Sequence, residues 1–154
     1  MSQAPLNEDF VDMLAALAEA GAEHVVVGAY AMAAHGVPRA TGDIDILVRP
    51  SAENAARVFA ALCSFGAPLA AHGLSAEDFA VAGTVYQIGV PPSRIDVLTR
   101  ISGVSFDEAW TSRVAVTVGE LRVPFIGRDA LIANKRASGR DKDLIDLRVL
   151  EEQG

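Results

Sequence analysis

The chain predicts a mixed α/β fold, a mainly antiparallel sheet flanked by helices, and three observations point to it. Short β-branched runs bounded by Gly or Pro recur, among them Val25-Val26-Val27 ahead of Gly28 and the alternating stretch 84–90. Between them lie segments with helical periodicity, such as the one placing Phe10, Met13, Leu14 and Leu17 on one face. Two pairs of strand patterns are joined by tight turns, Pro91-Pro92-Ser93 and Gly119-Glu120, which reads as hairpins rather than crossovers. At 154 residues the chain reads as a single domain, 1–154, long enough to bury most of the surface an unfolded chain exposes.

The elements follow in order. Residues 7–20 form an amphipathic helix with Asn7 as N-cap, Glu8 and Asp9 in the first turn and Gly21 as its stop. Residues 24–27 are the first strand, and Gly28-Ala29 turns into a short helix ending near His35-Gly36. Residues 37–42 are loop and 43–49 the second strand. Ser51 opens a helix over 52–65. Residues 67–73 carry no clear pattern, and 75–81 suit one short helix. Strands at 84–90 and 94–99 pair as a hairpin. A helix over 106–110 is capped by Ser105, strands at 113–118 and 121–125 pair, and helices at 128–138 and 141–152 are separated by Gly139.

Composition narrows the class. The chain is 51% hydrophobic and 21% charged, with no run near the ~20 apolar residues of a membrane helix. The N-terminal MSQAPLNEDF lacks the basic and apolar regions of a signal peptide, so a cytoplasmic protein is expected. Cys63 is the single cysteine, which excludes an internal disulfide or a cysteine cage for zinc; in the context VFAALCSF it reads as a small core residue. Trp110 and Phe125 also read as core. The net charge of −7 argues against a nucleic-acid partner. Residues 122–148, however, hold seven bases against four acids, a local surplus that a nucleotide can use.

The chemistry concentrates in Thr41-Gly42-Asp43-Ile44-Asp45-Ile46. Period-two alternation puts Asp43 and Asp45 on one strand face and Ile44 and Ile46 on the other. Adjacent carboxylates repel unless a cation lies between them, and bridging divalent metals are a common remedy. Asp96 repeats the pattern on a later strand, between Ile95 and Val97, with Arg94 on its own face. Three histidines without metal spacing argue against zinc, and His35 reads as structural. Arg140 and Lys142 read as structural or solvent-facing, Asp141, Asp143 and Asp146 as helix-start charges and salt-bridge partners, and Lys135 as a helix-surface base.

These elements together resemble the polymerase-beta-type nucleotidyltransferase superfamily. The nearest branch is the small bacterial one that includes antibiotic nucleotidyltransferases and abortive-infection toxins of toxin–antitoxin systems. The likeness runs over residues 24–150: an apolar strand and Gly turn (Val25 to Ala29), the loop Arg39 to Gly42, acid-apolar-acid (Asp43-Ile44-Asp45), a third acid (Asp96), and the segment Asn134 to Leu144. It implies a nucleotidyltransferase-like core with C-terminal helices and transfer of NMP from an NTP such as ATP to a hydroxyl, with release of pyrophosphate. Asp43, Asp45 and Asp96 would be catalytic and hold two Mg²⁺ ions, or Mn²⁺, with Asp96 as general base. Gly28, Ala29, Thr41 and Lys135 would bind the nucleotide. A small molecule or protein is favoured over nucleic acid as acceptor, and a homodimer or partner chain would complete the pocket. The family has Gly or Ser where this chain has Ala29, so a serine hydroxyl contact is missing. That departure keeps open a rival reading, a non-catalytic nucleotidyltransferase fold serving as a nucleotide-binding or interaction module.

Overall fold

In the computed structural model, residues 7–37 and 41–153 are described; the loop assignment at 38–40 and the N-terminal residues 1–6 lie outside them. The described strands form one six-stranded sheet, in the order β3-β4-β2-β1-β6-β5. These are β1 (His24–Val27), β2 (Asp43–Val48), β3 (Val85–Ile88), β4 (Arg94–Leu98), β5 (Val114–Val118) and β6 (Leu121–Phe125). The helices are α1 (Glu8–Glu19), α2 (Gly28–Ala34), α3 (Ala52–Phe65), α4 (Phe106–Thr111), α5 (Arg128–Ser138) and α6 (Asp141–Glu152), with a 3₁₀ turn at Ala76–Ala80.

The sheet is mixed and mainly antiparallel, as the hairpins require. β3–β4 and β5–β6 are the two hairpins, and β1 runs antiparallel to β2. The parallel contacts are β2–β4 and β1–β6. β1 lies inside the sheet and all four of its residues are buried, which explains a β-branched run with no alternation. β2 does alternate: Ile44 and Ile46 are fully buried while Asp43 and Asp45 are partly exposed.

Local signals set the helix ends. The Asn7 side chain accepts from Asp9 N, Ser51 from Asn54 N, and Ser105 and Glu108 form a capping box on α4. The apolar stripe of α1 (Phe10, Met13, Leu14, Leu17) is buried, and α1 packs on α3. Asn54 is buried and braces the start of β1 to the end of β2, accepting from Glu23 N at 2.7 Å and donating to the carbonyls of Glu23 and Arg49. Cys63 corrects the core expectation: it is exposed, because the buried stripe of α3 runs through Val58, Ala61 and Leu62, and the next residue turns about 100° away. Phe125 is fully buried, whereas Trp110 is half-buried, stacked on Phe106 and covered by the Arg113 guanidinium. Among the described residues no helix is long and apolar enough to cross a membrane.

Candidate functional site

The parallel register of β2 and β4 sets Asp43 opposite Arg94 and Asp45 opposite Asp96. Neighbouring strands put opposed residues on the same face, so the four side chains form a compact block. Carboxylate oxygens of Asp43, Asp45 and Asp96 all lie within 4.8 Å of one another. Residues 51 positions apart in sequence thus meet because β4 adds beside β2 in parallel, a pairing that local pattern does not reveal.

The three acids are treated unequally. Burial alone would raise the Asp43 carboxyl, but hydrogen bonds from Thr41 (2.7 Å) and Arg94 (2.5 Å) and the charges of Arg94 and Lys142 hold it below the usual range. For Asp45 the charge of Arg94 is outweighed. Burial first, then the charge of Asp43 and the hydrogen bond and charge of Asp96, push it up to about 7. Asp96 is 6% exposed, and among the described residues its buried Oδ1 and the Arg94 Nε that pairs with it at 3.6 Å have no hydrogen-bond partner. A buried, orphaned carboxylate oxygen beside two further carboxylates is what a divalent cation satisfies, with hard oxygen ligands of the kind Mg²⁺ and Mn²⁺ take. The residues fit the metal site that the resemblance implies.

Gly28 closes the site from the side of β1. Its φ is +72°, and a Cβ there would come 2.2 Å from Asp45 Oδ2. Glycine is needed at this position for the backbone and for space, since β1 delivers its turn directly onto Asp45, which pairs with Val27.

The opposite wall comes from α5 and α6. Lys135 corrects the helix-surface expectation: it is 7% exposed, with Nζ 3.2 Å from Asp143 Oδ1 and 3.1 Å from Asp146 Oδ2. Gly139, in the left-handed conformation, reverses the chain so that the first turn of α6 brings its acids back under α5. Asp143 also accepts from Ser138 (2.8 Å) and Arg140 (2.7 Å). Although burial opposes it, these bonds and that from Lys135 hold the Asp143 carboxyl far below the usual range. Asp143 and Asp146 are salt-bridge partners as expected, but buried ones; Asp141 is exposed.

Between the walls runs a cleft with two lobes. The first, about 190 Å³, is lined by Gly28, Ala29, Thr41, Asp43, Asp45 and Lys135, together with Arg140, Lys142 and Asp146. The second, about 330 Å³, extends past Leu98, Ile101, Ser102 and Asn134. Gly28, Asp45, Lys135 and Arg140 border both. His35 is not among the lining residues; its Nε2 donates to the Ile126 carbonyl at 2.7 Å. A larger cavity of about 500 Å³ near α4 and α5 contains none of the candidate site residues. Of the carboxylates on its rim, Glu108 caps α4, Asp107 pairs with Arg49 and Asp129 with Arg128.

Sequence reasoning missed two features. Arg94 is a built-in cation for Asp43, signalled only by its position two residues before Asp96 on the same face. The Asp143–Lys135–Asp146 cluster is the other, and its signal was the i, i+3 spacing of the two acids on α6.

No family model and no curated protein matches the chain. Among solved structures, a crystal structure from Thermotoga maritima, provisionally assigned as a nucleotidyltransferase, matches with a TM-score of 0.59 and 15% sequence identity. The match covers 97% of this chain and 96% of that one. The likeness is one of fold: the six-stranded sheet and its helices have a nucleotidyltransferase-like architecture.

Proposed function

We propose that the chain is a metal-dependent nucleotidyltransferase, transferring NMP from an NTP to a hydroxyl acceptor with release of pyrophosphate. The observation that carries this is the meeting of Asp43, Asp45 and Asp96 within 4.8 Å, with Asp43 and Asp45 lining a cleft walled by Lys135 and Arg140. A divalent metal held by the three carboxylates would neutralise triphosphate charge and acidify the acceptor hydroxyl.

The chain's own residues do the rest. Lys142 faces the first lobe beside Lys135 and Arg140, whose charges are shared with Asp143 and Asp146, and these cations would meet the β- and γ-phosphates, with Gly28 and Ala29 lining the same lobe. Thr41 and Arg94 hold Asp43 ionised and fixed. Asp96, set beside Asp45 by the register of β2 and β4, would take the acceptor proton. The acceptor oxygen then bonds to the α-phosphorus as the bond to the bridging oxygen breaks, and pyrophosphate leaves with that electron pair.

The rival, a non-catalytic nucleotide-binding or interaction module, is favoured by Ala29, which offers no hydroxyl to phosphate. Incubation with α-labelled NTPs, Mg²⁺ and cell extract separates the two. Transfer of label, abolished by EDTA, is the expected result; nucleotide binding with no transfer to any fraction would support the module.

A further inference from the structure

The two lobes of the cleft offer different chemistry. The first sets Lys135, Arg140 and Lys142 against Asp43, Asp45 and Asp146. The second pairs the apolar Leu98 and Ile101 with the neutral polar Ser102 and Asn134. Its outer wall is rigidly built. Asn134 Nδ2 donates to the Ser102 carbonyl at 2.9 Å, and Ile101 bridges to Val104 across the turn. Gly103, at φ +73°, lies so close to α5 that a Cβ would meet Ala137 Cβ at 2.4 Å and the Ala133 carbonyl at 3.1 Å. The turn is clamped to α5, and the lobe is formed before any ligand arrives.

We propose that this second lobe seats the acceptor, and that the acceptor is a small, uncharged hydroxyl compound of sugar or nucleoside size. The assignment rests on the nucleotidyl-transfer reading and goes beyond it. In-line displacement requires the attacking and leaving oxygens on opposite sides of phosphorus. Pyrophosphate departs into the lobe that holds Lys142 and Thr41. Asp45 borders both lobes, so phosphorus at Asp45 is attacked from the second. Asp96, in register with Asp45, precedes Leu98 of that lobe by two residues on one strand face, which puts a carboxylate next to the lobe's edge at Asp45. A volume of about 330 Å³ suits one small molecule. Charge is disfavoured in either sign: Lys135 and Arg140 face a cation, Asp45 and Asp143 an anion. Apolar floor with neutral hydrogen-bonding groups is how a polyol ring is recognised.

Ser102 is exposed, so Ser102→Trp fills the lobe without disturbing the core. The probes are α-labelled NTPs in Mg²⁺ with glucose or glycerol as neutral acceptors, glucosamine and glucose 6-phosphate as charged ones, and the small-molecule and macromolecular fractions of a cell extract. Nucleotide affinity is read separately by calorimetry, and circular dichroism checks the fold. Label should pass to neutral probes or to the small-molecule fraction. Ser102→Trp should lower that transfer by about 100-fold while leaving nucleotide affinity within about threefold; Ser102→Ala should cost less than about tenfold. If Ser102→Trp instead weakens nucleotide binding tenfold or more, the lobe holds the nucleoside and the assignment is wrong. Label only on macromolecules, preference for a charged sugar, or no transfer by a chain that binds nucleotide overturns the acceptor class. A wild-type chain that binds no NTP in Mg²⁺ removes the nucleotidyl-transfer reading itself, a different failure.

Discussion

Replacing Asp45 by Asn should stabilise the metal-free chain at high pH and make little difference at low pH. Asp45 is ionised in the unfolded chain from about pH 4 upward, but burial and its acidic neighbours raise the folded value to about 7. The folded chain therefore holds a proton that the unfolded chain has lost, and stability from this group is complete below about pH 4 and declines as pH rises through about 7. A rise from 3.8 to about 7 corresponds to roughly 4 kcal/mol at about 1.4 kcal/mol per unit. Asp43 and Asp96 share in the repulsion, so removing one charge should recover about half, roughly 2 kcal/mol. For a chain of this size that is about 4–8 °C in Tm. The assay is thermal unfolding of wild type and Asp45→Asn in EDTA at pH 5 and pH 8. The difference between the two proteins should be about 4–8 °C in favour of the variant at pH 8 and less than half of that at pH 5. Mg²⁺ should narrow the gap at pH 8 by stabilising wild type alone. Parallel pH profiles in EDTA would refute the reasoning, because Asp45 would then not be a buried, repelled carboxylate.

Other consequences follow from the same geometry. Gly28→Ala places a methyl 2.2 Å from Asp45 Oδ2 at φ +72° and should cost more than about 1 kcal/mol in urea unfolding, with loss of metal-dependent nucleotide binding; unchanged binding would mean that the turn does not touch the site. Lys135→Ala removes the cation between the buried Asp143 and Asp146, while Ser138 and Arg140 still bond Asp143, and should destabilise by about 1–3 kcal/mol, read by chemical denaturation. An unaltered denaturation midpoint would show that the buried cluster is not formed in solution.

Much of this arrangement was legible in residue pattern. Alternation in Asp43-Ile44-Asp45-Ile46 assigns the faces of β2, Gly28 and Gly139 mark turns that only glycine makes easily, and Ser51 and Ser105 announce their helices. What pattern does not carry is pairing at a distance. The parallel addition of β4 to β2 decides that Arg94 neutralises Asp43 and that Asp96 is buried beside Asp45. Lys135 illustrates the same limit. A base on α5 between Asn134 and Arg136 looks solvent-exposed until α6 folds back and buries it against Asp143 and Asp146. Cys63 fails for the opposite reason: hydrophobic company in sequence does not set the angle at which a helical residue meets the core.

The central claim, nucleotidyl transfer at three carboxylates with divided roles, is tested most directly by Asp96→Asn. Asn is nearly isosteric with Asp but takes no proton and is a poorer metal ligand. Calorimetric titration with each NTP in Mg²⁺ and in EDTA is paired with transfer of α-label by wild type, Asp43→Asn, Asp45→Asn and Asp96→Asn. The account predicts metal-dependent binding in wild type, its loss in the Asp43 and Asp45 variants, and near-normal nucleotide affinity in Asp96→Asn with transfer reduced by about 10²–10⁴-fold. Transfer by Asp96→Asn at the wild-type rate, or nucleotide binding equal in Mg²⁺ and EDTA, would contradict it.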